Sequence, residues 1–310
     1  MVIIIWSNSK GSIPEGWYEL QSGDVIRPKR WMLSFLEKAE ASGYAVIDPP
    51  LLEYYSHYQN LALFDESAYY RLFGNDGELL VMRPDYTLQI ARKLADGHEP
   101  MRVAYAGAVY RRTVKHSGQP HERQQLGLEW VDGEEKDSHL IESFLDMTEG
   151  VLPTDRLTIK IGSAAVISLI AKETGVQERT FRKILAIRNL ESLRELAETY
   201  RYPLIAKLPF LIGNSALEEL RAQAPASLKE AIDDVDEAVQ HLRATGLEVS
   251  YDFGQTGDFD YYSGLTVTGS VEGKRVLSGG RYDSLYGHFG HSRRAFGMSL
   301  DLEQLDEVIK

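Results

Sequence analysis

The 310-residue sequence contains no cysteine, which excludes disulfide bonds, thiolate zinc sites and cysteine nucleophiles. This composition agrees with a cytoplasmic location. The sequence also lacks any apolar run long enough to cross a bilayer. A secretion signal would have basic residues before its apolar run, and the opening stretch, MVIIIW, has none. We therefore predict neither a membrane span nor a secretion signal.

Positive charge is also scarce, because 34 Lys and Arg residues face 46 Asp and Glu residues and the formal net charge is −12. Nucleic-acid binding depends on Lys and Arg side chains that neutralise phosphates, so this balance argues against nucleic acid as the main partner. What is present is ordinary for a globular protein, with 43% hydrophobic and 26% charged residues. A chain of this length can bury a substantial core.

The order of the predicted elements indicates an α+β fold. A helix is predicted over residues 24–42 and another from about Tyr86. MRVAYAGAVYRR and RQQLGLEWV then predict two antiparallel strands joined by a loop. Residues 165–245 are almost entirely helical in pattern, and strand patterns return afterwards in LEVSYDF, GLTVTGSV, KRVLSGG and AFGMSLDL. A helical block between strand-rich stretches predicts an insertion into one mixed, mainly antiparallel sheet.

One predicted strand, RQQLGLEWV, has a polar face that needs an explanation. Its alternation places Gln125, Gly127 and Glu129 on one face and Leu126, Leu128 and Trp130 on the other. A half-buried strand with its polar face in water shows this pattern. A strand whose polar face lines a ligand pocket shows it as well, so both interpretations remain open at this point.

Other polar residues lie in short segments at predicted strand ends and turns, and each alone is explained as a turn former or a surface ion pair. The set is Arg83, Asp85, Thr87, Arg111, Gln125, Glu129, Asp260, Tyr261, Tyr262, Arg281 and Tyr282. Together, carboxylates, arginine, glutamine and tyrosines suit a zwitterionic amino acid with a polar side chain. The histidines lack nearby carboxylates at ligand spacing, so we predict no metal site and no cofactor.

Five ordered segments resemble the signature segments of histidyl-tRNA synthetase, a class II aminoacyl-tRNA synthetase. They are RPDYT, VYRRTVKHSGQPHERQQLGLE, FDYYSG, SGGRYD and AFGMSLDLEQL. The resemblance implies a class II antiparallel sheet of six or seven strands flanked by helices. It also implies a single domain over residues 1–310 with a helical insertion at about 165–245 and without an anticodon-binding domain. The histidine-binding residues that it implies are Asp85, Thr87, Arg111, Gln125, Glu129, Tyr261, Tyr262 and Tyr282.

The sequence departs from the synthetase pattern where ATP is handled. Thr113 replaces an acidic residue, and His121, Gly257 and Gln304 replace three arginines. Positioned cations stabilise the charge that develops on a phosphate under attack, and losing one such group commonly costs on the order of 10²- to 10³-fold in rate. We therefore expect histidine binding without adenylation, and no catalytic residues.

A synthetase-like chain with these departures resembles the regulatory subunits of ATP phosphoribosyltransferase, the first enzyme of histidine biosynthesis. The resemblance implies a non-catalytic chain that self-associates and pairs with a short catalytic subunit, as four chains of each kind in a hetero-octamer. Histidine would be the feedback effector, with no tRNA partner. Two alternatives remain open, namely a truncated or divergent histidyl-tRNA synthetase that forms histidyl adenylate, and a stand-alone histidine sensor.

Overall fold

The structure, a computed structural model, describes residues 13–59, 69–112, 119–257 and 261–309. Thr113 and Asp260, which the sequence analysis singles out, lie outside these ranges. Within the described ranges, none of the helices combines the length and the apolar character that crossing a membrane would need.

The helices and strands form three successive blocks along the chain: a mixed first part, a helical middle and a strand-rich end. The helices are α1 (Gly23–Ala41), α2 (Tyr86–Leu94), α3 (Asp137–Met147), α4 (Ala164–Thr174), α5 (Glu178–Ala186), α6 (Leu190–Thr199), α7 (Leu204–Lys207), α8 (Ala216–Arg221), α9 (Lys229–Ala244), α10 (Asp283–Gly287) and α11 (Leu302–Ile309). The strands are β1 (Ala45–Val46), β2 (Leu52–Tyr54), β3 (Arg71–Phe73), β4 (Leu79–Met82), β5 (Met101–Tyr110), β6 (Glu122–Val131), β7 (Leu157–Ser163), β8 (Glu248–Tyr251), β9 (Leu265–Val271), β10 (Lys274–Arg281) and β11 (Ala295–Asp301).

The main sheet has the order β1-β5-β6-β11-β10-β9-β7-β8. Its six central strands pair antiparallel, whereas β1 joins β5 and β8 joins β7 in parallel at the two edges. The prediction of one mixed, mainly antiparallel sheet is confirmed. The resemblance implied six or seven strands, and the sheet has eight because a parallel strand is added at each edge. A parallel neighbour needs a long crossover, and the helices α4 to α9 provide it between β7 and β8.

The predicted helix over 24–42 is confirmed as α1, and the helical block of 165–245 is confirmed as α4 to α9. In the stretch YAVIDPPLLEYY, a short strand, β1, ends before Pro49 and Pro50, and a second strand, β2, follows them. The second strand joins a three-stranded sheet, β2-β4-β3, that the sequence patterns do not indicate.

The core packs against the apolar face of β6. Leu126, Leu128 and Trp130 are buried among residues of α1 and α3, where Phe35 and Phe144 meet edge to face at 6.3 Å. This packing determines which way β6 faces. Its polar residues therefore point to the opposite side of the sheet.

Candidate functional site

The polar face of β6 lies inside the protein and not in water. Glu129 is 0% exposed and Gln125 is 9% exposed. In the sheet, Glu129 pairs with Val103 on β5 and with Gly297 on β11, so it sits between two neighbouring strands. An interior carboxylate at the middle of a sheet needs partners, and its surroundings show what they are.

Glu129 accepts two short hydrogen bonds. Thr87 donates its hydroxyl to Oε1 at 2.6 Å, and Tyr282 donates its phenol to Oε2 at 2.5 Å. Burial raises the pKa of Glu129 from 4.5 to about 8; the two hydrogen bonds lower it and the nearby Asp85 carboxyl adds to the rise. Without a ligand, Glu129 is thus largely protonated at neutral pH. A cation placed against it would favour the charged form.

Asp85 is the second buried carboxyl, and it caps the start of α2. Its Oδ1 accepts from the backbone N–H of Thr87 at 2.6 Å, as an N-cap aspartate does, and its Oδ2 accepts from the Tyr261 phenol at 3.0 Å. Burial raises the pKa of Asp85, and Arg111, whose Nη2 lies 3.9 Å from Oδ2, opposes this rise. Arg111 is held in place because its Nε donates to the carbonyl of Pro84 at 2.6 Å.

Buried tyrosines surround the two carboxyls. The ring of Tyr261 lies 5.1 Å from that of Tyr262 and 5.7 Å from that of Tyr282. Gln125 joins the group through Tyr105, whose hydroxyl is 3.4 Å from its amide nitrogen. Burial raises the pKa of Tyr105, which in turn lies close enough to the Glu129 and Asp85 carboxyls for them to raise it further. All eight predicted residues therefore belong to one cluster, namely Asp85, Thr87, Arg111, Gln125, Glu129, Tyr261, Tyr262 and Tyr282.

Two further tyrosines belong to this cluster, Tyr86 and Tyr105, and the sequence analysis missed Tyr105. Tyr105 is fully buried on β5, and its hydroxyl fills the space that a side chain at Gly127 would need. Tyr86 stacks on Tyr105 at 4.3 Å, with the Arg83 guanidinium 3.9 Å above its ring. The alternation of β5 could have indicated Tyr105. Its apposition to Gly127 depends on strand pairing, which the sequence does not show.

Two arginines of the predicted polar set belong to the framework. Arg83 donates to the carbonyls of Ala108 at 3.1 Å and Pro49 at 2.7 Å. Arg281 pairs with Asp137 and Asp283, which ties β10 to the start of α3. Neither directs its charge to Glu129 in these contacts. Within the described ranges, no group of three His, Cys, Asp or Glu residues is arranged to hold a metal ion.

The positions that depart from the synthetase pattern carry local contacts instead of phosphate-binding cations. Gly257 has φ +77°, and a Cβ there would lie 2.4 Å from the Tyr262 ring, so an arginine cannot be placed without moving that ring. His121 contacts the Tyr70 hydroxyl, and the Gln304 amide donates to Gln119 at 3.1 Å. Three positions that depart from the synthetase pattern thus make local contacts, and one of them, Gly257, lies against the tyrosine cluster.

Comparison with known proteins shows the family to which this chain belongs. The family model described as Histidyl-tRNA synthetase matches residues 18–305. The chain is 32% identical over 302 residues to an ATP phosphoribosyltransferase regulatory subunit from Bacillus cereus (strain B4264), with 90% of this chain and 70% of that protein covered. The chain belongs to the family of ATP phosphoribosyltransferase regulatory subunits. This family has a histidyl-tRNA synthetase-like fold, which confirms the predicted fold class.

Two solved structures extend the comparison. The ATP phosphoribosyltransferase regulatory subunit/histidyl-tRNA synthetase from Bacillus halodurans aligns with a TM-score of 0.79 at 26% identity, covering 97% of this chain and 84% of that one. The ATP phosphoribosyl transferase (HisG:HisZ) complex from Thermotoga maritima contains a chain that aligns with a TM-score of 0.64 at 21% identity, covering 89% and 97%. The second likeness supports the fold.

Proposed function

We propose that this chain is the non-catalytic regulatory subunit of ATP phosphoribosyltransferase, that a short catalytic subunit needs it for activity, and that it conveys feedback inhibition by histidine. The observation that carries the proposal is the buried Asp85 and Glu129 pair, kept within a tyrosine cluster beside altered ATP-binding positions. Such a site can hold an amino acid but lacks the arginines that adenylation would need. The relatives from Bacillus cereus and Clostridium botulinum are named ATP phosphoribosyltransferase regulatory subunits, which supports the regulatory role.

The electrostatics of the cluster support histidine as the ligand. Two carboxyls whose pKa values are raised by burial lie close together without a full counter-charge, and a ligand ammonium or imidazolium would supply it. Arg111 stands at the partly exposed side of the cluster, where its guanidinium would bind the ligand carboxylate. Thr87, Gln125 and the tyrosines would orient the side chain of the ligand.

Regulation then follows from linkage between the site and the assembly. We propose a cytoplasmic hetero-octamer of four regulatory and four catalytic chains, with self-association of the regulatory chains and no tRNA partner, cofactor or metal. The regulatory chain would act as one synthetase-like domain with its insertion at about 165–245. Histidine can shift the assembly only by its differential affinity for the two states, typically by 1–3 kcal/mol per site.

Histidine affinity is expected to rise with pH between pH 6 and pH 8. In the empty site Glu129 has a pKa of about 8, and the ligand ammonium, which we place against it and which is already charged in this range, favours its charged form, so binding releases a proton. The dissociation constant should fall roughly tenfold per pH unit below pH 7 and level off above pH 8. Calorimetry in buffers of different ionisation enthalpy measures the released proton. Affinity that stays constant across this range would contradict the proposed role of Glu129.

Reconstitution tests the proposed function. The purified chain is mixed with the short catalytic ATP phosphoribosyltransferase from the same genome, and phosphoribosyl-ATP formation is followed with and without histidine. We expect activity only in the mixture, co-elution of the two chains, and loss of activity when histidine is added. If the chain neither co-elutes nor activates, the proposal fails. Histidine-dependent exchange of pyrophosphate into ATP would then indicate a synthetase, and histidine binding alone a sensor.

A further inference from the structure

Helix α5 of the insertion carries a buried arginine, Arg182, whose side chain extends toward the proposed histidine site. Arg182 is 3% exposed, and its guanidinium reaches across from the insertion to the backbone of the tyrosine segment. Its donated hydrogen bonds go to Glu178 Oε1 at 2.8 Å, Ser168 Oγ at 3.0 Å, the Ala164 carbonyl at 3.4 Å and the Tyr262 carbonyl at 3.2 Å. One guanidinium therefore bridges α4, α5 and the segment that carries Tyr261 and Tyr262.

Burying the guanidinium charge costs desolvation free energy, so filling space between helices does not explain why an arginine is at this position. Its carboxylate partner in the described ranges is Glu178, which is itself 41% exposed, and its Nη1 is buried without a hydrogen-bond partner there. An apolar side chain would fill the same space at a lower desolvation cost. Of the hydrogen bonds that an apolar residue could not supply, the one to the Tyr262 carbonyl is the one that leaves α4 and α5.

That carbonyl lies one residue from a ligand contact of the proposed site. The Tyr261 phenol donates to Asp85, and the Tyr261 and Tyr262 rings touch, so a shift of this backbone displaces both rings relative to the carboxyl. The insertion holds the segment a second time, because the Ala164 N–H donates to the Gly264 carbonyl at 2.8 Å. Helices α4 and α5 therefore grip the segment from the insertion side.

Strand β10 and helix α10, which follows it, also hold this segment. Ser284 donates its hydroxyl to the Tyr261 carbonyl at 3.2 Å, and the Ser263 N–H donates to the Arg281 carbonyl at 2.8 Å. The segment is thus hydrogen-bonded to two bodies, namely β10 with α10, and helices α4 and α5 of the insertion. A small movement of one body relative to the other would change the spacing between Tyr261 and Asp85.

We propose that Arg182 is a positioning residue of the histidine site, through which the helical insertion sets the placement of Tyr261 and Tyr262. The inference rests on the proposed binding of histidine in this cluster. Coupling of this kind is reciprocal, so histidine binding should also stabilise the insertion side of the contact. Amide hydrogen exchange in α5 should therefore slow when histidine binds.

The test compares Arg182→Met and Arg182→Lys with the parent chain. Methionine keeps an unbranched side chain but donates no hydrogen bond, whereas lysine keeps the charge and can still reach one carbonyl. Arg221→Met is the matched control, because Arg221 lies on α8 of the same insertion and pairs with Asp233 and Asp236 at the surface. Each variant is titrated with histidine by calorimetry well below its measured melting temperature, so a loss of stability alone does not lower the affinity.

We expect Arg182→Met to bind histidine at least tenfold more weakly, Arg182→Lys to be intermediate, and Arg221→Met to match the parent. Without histidine, the peptide that covers residues 261–264 should exchange its amides faster in Arg182→Met. Should Arg182→Met not fold, Arg182→Lys decides the question alone by the same measurements. Parent-like affinity and exchange in the folded variant overturn this inference while the proposed function stands. A parent chain that binds no histidine overturns both.

Discussion

Replacement of Glu129 by glutamine is expected to weaken histidine binding at least 100-fold, equivalent to about 2.7 kcal/mol. Glutamine has nearly the same shape; its amide oxygen can accept from one of the two hydroxyls of Thr87 and Tyr282, and its NH2 can donate to the other after that hydroxyl rotates. It cannot become negative opposite a ligand cation. In a fully buried position that charge is poorly screened, and truncating one partner of such a pair typically costs 2–5 kcal/mol.

The same replacement should leave the stability of the empty protein unchanged or raise it. Glu129 has a pKa of about 8 in the folded protein and an ordinary value of 4.5, so the unfolded chain loses its proton first as pH rises. The stability that this group contributes is complete below about pH 4.5 and is lost progressively up to about pH 8. Glutamine removes this loss. Denaturant unfolding at pH 6 and pH 8 should show a smaller pH dependence for Glu129→Gln than for the parent.

Glu122→Gln provides the matched control for this experiment. Glu122 begins the same strand and points to the opposite side of the sheet, where it accepts from the Tyr110 hydroxyl at 3.4 Å and from the Gln124 amide at 3.3 Å. We expect its histidine affinity to stay within about twofold of the parent value, since surface changes away from a site have small effects. Equal losses in both variants would show that the binding depends on overall charge and not on the Glu129 position.

Replacement of Gly297 by alanine is expected to damage the same site from the neighbouring strand. Gly297 lies directly opposite Glu129 across the pairing of β6 and β11. An added Cβ would stand 1.8 Å from Oε2 and 2.7 Å from Cδ of Glu129, far inside contact distance. The carboxyl must then move away from Thr87 and Tyr282. We expect a loss of histidine affinity of more than tenfold and a loss of stability of about 1–3 kcal/mol, as overpacking commonly causes.

Gly287→Ala separates this steric effect from the general consequence of replacing a glycine. Gly287 closes α10, has no positive φ, and an added Cβ there meets no atom within 4 Å. Its stability should rise by about 0.4–1 kcal/mol, as at other glycines with a compatible backbone, and its histidine affinity should not change. The measurements are denaturant unfolding and calorimetric titration, as for the parent. Parent-like binding by Gly297→Ala would refute the close apposition of β11 and Glu129.

Much of the local structure was determined by the sequence by itself. The 3.6-residue spacing of apolar residues identified α1, and the alternation of β6 separated its two faces correctly. The helix expected from about Tyr86 is confirmed as α2, and the structure shows that Asp85 caps it. The ordered segments that resemble histidyl-tRNA synthetase indicated which polar residues belong together, and the structure places all eight in one connected cluster.

The burial of the site was decided only by the tertiary structure. Alternation along a strand is the same for a face in water and a face in the interior, so it could not show that Glu129 is inaccessible. The apposition of Gly297 and Glu129 depends on the register of two strands far apart in sequence. The contact of Arg182 with Tyr262 likewise joins residues 80 positions apart. Such contacts arise from packing, which local sequence patterns do not encode.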